Sequence, residues 1–106
     1  MTYDIEQFKV LSQPESIILT QHSRKRLAER GIQIQDVCKA IRSGEIIEDY
    51  PKDFPFPSCL ILGECGGRFL HVCASIHENM IYLITAYIPG PQKWQGDLKT
   101  RKDDCQ

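Results

Sequence analysis

CLILGECGGRFLHVCASIHENMIYLITAYI (residues 59–88) decides the fold. It holds three apolar, β-branched stretches, 59–64, 68–76 and 80–88. Cys65-Gly66-Gly67 joins the first two and His77-Glu78-Asn79 the next two, and connections this short make antiparallel hairpins. Alternation along 68–76 sends Arg68, Leu70, Val72, Ala74 and Ile76 to one face of the sheet. Phe69, His71, Cys73 and Ser75 go to the other. Outward toward the N-terminus, PKDFPFP (51–57), with three prolines, reads as an irregular connection, and EIIEDY (45–50) as a first strand. Outward toward the C-terminus, Pro89-Gly90-Pro91 ends the sheet. Residues 92–98 read as one helical turn around Trp94, and the polar tail from Lys99 as frayed.

The first 44 residues have helical periodicity instead. Ile5, Phe8 and Leu11 mark a short helix over 4–12, which Pro14 ends. Ile17-Ile18-Leu19 is a short extended segment or the lead into the next helix. Thr20 caps a helix over 21–30, with Gly31 as its left-handed terminus. Ile34, Val37, Cys38 and Ile41 give a third helix over 33–43 a core-facing stripe, and Gly44 closes it. Gln33 is a weak capping residue for that helix. The sum is an α+β fold: two to three N-terminal helices on an antiparallel sheet of about four strands.

A chain of 106 residues is one domain, here an N-terminal helix (1–15), a core (16–98) and a polar tail (99–106). Hydrophobic content of 42% and charged content of 25% exclude disorder. The charge-free run 79–92 is too short and too proline-rich to span a membrane. Acids stand at the N-terminus where a signal peptide would be basic and then apolar, so a cytoplasmic protein is expected. Cys38, Cys59, Cys65, Cys73 and Cys105 form no C-x-x-C pair, so free thiols are expected and no metal site. P-loop, dinucleotide-binding, zincin and nucleophile-elbow motifs are absent.

The helix QHSRKRLAER (21–30) is the unusual segment. His22, Arg26 and Arg30 recur every four residues and share a face. Arginine offers a planar fork for phosphate oxygens, and histidine exchanges a proton near neutral pH. Between Arg24 and Arg42 there are six basic residues against two acids, in a chain of formal charge −1. Such segregation suits a polyanion, or leaves a solvated helix face whose arginines pair with Glu48 or Asp49. His71 is either a hydrogen-bonded strand histidine or a general base. Of Tyr82 and Tyr87, one is a core ring and the other is free to stack a base or polarise a phosphate. Trp94, with Lys93, Lys99, Arg101 and Lys102, combines an aromatic with cations as single-stranded nucleic-acid sites do, or lids the end of the sheet. Helices two and three superficially resemble a helix-turn-helix, but the third needs its apolar stripe for the core.

The pattern His22-x3-Arg26-x3-Arg30-Gly31-Ile32 is followed by an amphipathic helix ending at Gly44. Glu45-Ile46-Ile47, Pro55 to Leu62, Leu70-His71-Val72, Ile84-Thr85-Ala86-Tyr87 and Pro89 to Trp94 complete it. Over residues 16–102 the chain resembles the small prokaryotic family called domain of unknown function forty-two fifty-eight. That family is similar to the BrnT and RelE toxin ribonucleases. The resemblance implies helices on a curved antiparallel sheet and a toxin role in RNA cleavage, ribosome-bound or free. It also implies a small zinc-finger or DNA-binding antitoxin partner. Carried onto this chain, it makes His22, Arg26, Arg30, His71 and Tyr87 the catalytic candidates. Lys25, Arg68, Lys93, Trp94 and Arg101 are the RNA-binding candidates. The expected reaction is metal-independent, cofactor-free attack of a ribose 2′-hydroxyl on the adjacent phosphate. His71 or His22 is the base, Arg26 and Arg30 hold the phosphate, and Tyr87 or Trp94 stacks a base. The alternative is a non-catalytic RNA- or protein-binding module.

Overall fold

Alternation along the central strand divides the molecule into two unlike halves. In the computed structural model, which describes residues 1–102, the elements are α1 (Ile5–Lys9), a 3-10 turn (Pro14–Ser16), β1 (Ile17–Leu19), α2 (Gln21–Glu29), α3 (Ile34–Arg42), β2 (Glu45–Tyr50), β3 (Ser58–Cys65), β4 (Arg68–His77) and β5 (Met80–Tyr87). The strands form one sheet in the order β1-β5-β4-β3-β2. The fold is α+β as expected, with one strand more. Ile17–Leu19 pairs with β5 in parallel, so the sheet is mixed. The other pairings are antiparallel.

Val72, Ala74, Leu70, Ile61, Ile81, Leu83 and Ala86 form the apolar face, against Val37 and Ile41 of α3 and Leu27 of α2. α3 lies on β3 so closely that a methyl group added to Gly63 would sit 1.7 Å from the Ala40 carbonyl oxygen. The weak cap at Gln33 is repaired from within the helix, where the Asp36 carboxylate accepts from the Gln33 amide at 2.8 Å. Arg42 locks α3 to the N-terminal segment, donating to the Ser12 carbonyl at 2.6 Å. It is therefore not part of a free basic face.

The register places Glu48, Leu60, Leu62, His71, Cys73, Ser75, Tyr82, Thr85 and Tyr87 on the opposite face. No helix covers it. The Pro51–Pro57 loop borders one end and residues 89–102 cross the other. Residues 92–98 are not a helical turn. They belong to a loop closed by a bridge between Trp94 and Arg101. Nor do residues 99–102 fray: Lys99 pairs with Glu45 at 3.0 Å and Arg101 with Glu48 at 2.8 Å.

Candidate functional site

The bare end of β5 starts the site. β1 stops at Leu19, opposite Leu83, so the next β5 carbonyls have no strand beside them. Arg30, the C-terminal cap of α2, takes their place, and its guanidinium donates to the Ala86 carbonyl at 2.9 Å and the Thr85 hydroxyl at 3.0 Å. The rest of that fork faces a cleft of about 530 Å³, whose walls include Tyr87, Lys93, Trp94 and Arg101.

His71 stands behind Tyr87 and is 0% exposed. Its Nε2 lies 2.7 Å from the Leu98 carbonyl, which only accepts, so Nε2 carries the proton. Nδ1 is then the acceptor for the Tyr87 hydroxyl at 3.2 Å. Leu98 presents its carbonyl from a left-handed conformation (φ 61°), which costs a non-glycine residue about 1–2 kcal/mol. Burial lowers the His71 pKa; Leu98 and Glu48 oppose that shift without reversing it. The imidazole is thus neutral at pH 7. Burial also raises the Tyr87 phenol, which stays protonated.

Trp94 is only 2% exposed. It meets His71 edge-on at 4.4 Å, and Arg101 lies over its ring at 4.7 Å. It is a wall of the cleft and a cover for His71, not a free stacking surface. Arg101 gives two nitrogens to Glu48, at 2.8 and 3.0 Å. Burial tends to raise the Glu48 carboxyl, but hydrogen bonds from Arg101 and Tyr50 outweigh it and hold the carboxyl below its ordinary value. Much of the charge of Arg101 is thereby used inside the fold.

The expected stripe does not act as one unit. His22 is exposed and lines a second groove, beside Phe54 and Tyr82. Arg26 pairs with Glu29 at 3.5 Å on the open helix surface. Lys25 is exposed on the same helix and lines neither the cleft nor that groove. Arg68 begins β4 on the helix side of the sheet and pairs with Asp36 of α3 at 3.3 Å. Of the ten expected residues, Arg30, Tyr87, Lys93, Trp94 and Arg101 meet at the cleft with His71 behind them. Thr85 and Leu98 were not anticipated, and Glu48, expected as a partner for the arginines of α2, holds Arg101 instead. The acid of EIIEDY was legible only as a partner for arginine, and the role of Leu98 had no sequence signal.

Cys38, Cys59 and Cys65 are buried and Cys73 half-buried, all as free thiols. Burial pushes the Cys59 thiol up to about 12. Cys105 lies outside the described residues. Among those residues no helix is long and apolar enough to cross a membrane.

A family model described as Domain of unknown function (DUF4258) matches residues 19–88. The match takes in Arg30, His71 and Tyr87 and stops short of Trp94 and Arg101. No curated protein and no solved structure matches the chain.

Proposed function

The chain belongs to the family described as Domain of unknown function (DUF4258), and on that footing we propose that it is a cytoplasmic, toxin-type endoribonuclease. One observation carries the reading. A neutral buried imidazole is hydrogen-bonded to a tyrosine that opens onto a cleft with Arg30 and Lys93 at its rim.

In this reading a phosphodiester lies in the cleft with its non-bridging oxygens on Arg30 and Lys93. The ribose 2′-hydroxyl gives its proton to the Tyr87 oxygen while Tyr87 passes its own to Nδ1 of His71. The 2′-oxygen bonds to phosphorus as the bond to the 5′-oxygen breaks, that oxygen takes a proton from water, and the imidazolium returns its proton through Tyr87 to the hydroxide left behind. The products are a 2′,3′-cyclic phosphate and a 5′-hydroxyl. The Leu98 carbonyl and the Glu48 carboxylate stabilise the imidazolium formed in between. His22 and Arg26 take no part. Arg30 offsets charge that grows in the transition state, a role worth about 2–4 kcal/mol for comparable donors. RNA, free or on the ribosome, is the substrate, and a small zinc-finger or DNA-binding antitoxin is the partner.

The test is cleavage of single-stranded RNA by purified protein in the presence of a chelator. Tyr87→Phe should slow cleavage by about 10²- to 10⁴-fold, the usual span for a proton-transfer group, with the melting temperature little changed. Cleavage by Tyr87→Phe at the parent rate would remove the relay. A second reading draws on the full burial of His71 and the pairing of Arg101 with Glu48. There the cleft is a non-catalytic RNA- or protein-binding surface. Tight RNA binding with no cut strands would select it.

A further inference from the structure

The groove beside His22 lies on the same sheet face as the cleft and adjoins it. Ile84 lines the groove and Thr85, the next residue, lines the cleft. The groove holds about 470 Å³, and its walls are mostly apolar and aromatic, chiefly Phe54, Phe56, Tyr82 and Ile84. Phe56 stacks on His77 at 4.0 Å and 17°, with Tyr82 tilted against it at 5.8 Å. These rings are held in place before any ligand arrives. Phe54 is 93% exposed at the rim, a large apolar side chain covered by nothing in the described chain. Asp53, His22 and Ser75 supply polar groups around the same space.

Resting on the RNA reading of the cleft, we propose that this groove is a nucleobase site, and that the substrate is a single strand lying along β5. Its phosphate sits at Arg30 and a neighbouring unpaired base inserts between Phe54 and Tyr82. Three observations support that occupant. Tyr82 and Thr85 are three residues apart on one strand, at most roughly 10 Å, so one short stretch of strand can reach both. His22 and Asp53 line the groove with its rings and can meet the polar edge of a base. A base paired in a duplex cannot enter a groove walled by rings, so the arrangement selects an unstacked strand.

The test measures affinity of the full chain for a short single-stranded oligoribonucleotide, 2′-O-methylated so that it cannot be cut. Its abasic counterpart and a blunt duplex are measured beside it. Native protein should prefer the single strand with bases. Phe54→Ala, at an exposed position that leaves the core untouched, should weaken binding of that strand about tenfold, as loss of one stacked base does. Binding of the abasic strand should not change. Tyr82→Leu should act in the same direction. Arg30→Ala should weaken both strands. Unchanged affinity in Phe54→Ala and Tyr82→Leu, with loss in Arg30→Ala, overturns the groove and leaves the cleft standing. Equal loss on both strands in Phe54→Ala also overturns it. So does unchanged RNA affinity with loss of a co-purifying protein partner. No binding of any RNA by the native protein overturns the cleft reading and this proposal with it.

Discussion

His71 shows how far one residue's surroundings decide its chemistry. The alternation of β4 correctly assigned it to the face away from the helices. That it is wholly covered, and by which groups, depends on residues 23 to 27 positions later, which carry no periodic signal. Its lowered pKa has a consequence for stability. Below the ordinary histidine value of 6.5 the unfolded chain takes up a proton that the folded chain refuses. Stability is therefore full above that pH and declines as pH falls toward the folded pKa. Urea unfolding at pH 7.5 and 5.5 should show the loss, and His71→Asn should show less of it. Asp36 and Glu48, both held low in the fold, add losses of the same sign below 3.8 and 4.5 respectively.

Among the elements, those with strong local patterns were legible: α2, α3, β2 and the hairpins of β3, β4 and β5 lie within a residue or two of expectation. β1 was legible only as a short extended segment or the lead into α2. Three apolar residues do not reveal a parallel partner more than sixty residues away. The helical stripe misled for a related reason. His22 and Arg30 do share an i, i+8 spacing, but they are roughly 12 Å apart along the helix axis. α2 meets the end of β5 with Arg30, which leaves His22 at the neighbouring groove. Two predictions belong to this scale. Gly63→Ala forces a methyl into the backbone of α3, so it should destabilise by about 1–3 kcal/mol or more, seen as a lower melting temperature. Glu48→Gln removes the charged partner of Arg101. Amide exchange at Gln95 and Lys102, which donate to Thr100 and Lys93, should accelerate up to about fivefold, the effect of losing a partly exposed ion pair. Unchanged exchange would mean that the Arg101–Glu48 pair does not hold the segment down.

At the level of the whole molecule, part of the positive charge answers to internal acids, five of the thirteen Lys and Arg side chains having a carboxylate partner among the described residues. Arg26, Arg68, Lys99 and Arg101 each have a carboxylate within 3.5 Å, and Arg42 binds backbone. That leaves Arg30 and Lys93 as the cleft cations without a carboxylate partner among the described residues. RNA affinity should therefore fall gently with salt, with a log–log slope of about −1.4, from about 0.7 per phosphate neutralised on a single strand. A slope near −4 would show that the outer face of α2 binds as well. This distinction was not legible beforehand, because a count of basic residues in 24–42 does not say which of them the fold has already paired.

The layout also separates the family's shared region from its own lid. The matched region ends at Ile88, and the chain that seals His71 begins one residue later. A protein trimmed to the matched residues for crystallisation or fusion would keep α2, α3 and β2 to β5, though not α1 or most of β1. It would, however, open Leu62, His71 and Tyr87 to solvent, turning a dry imidazole into a wet one of ordinary basicity and a sheet face into an adhesive surface. Domain limits drawn from the family match alone would remove the part of this molecule that gives its histidine a special environment.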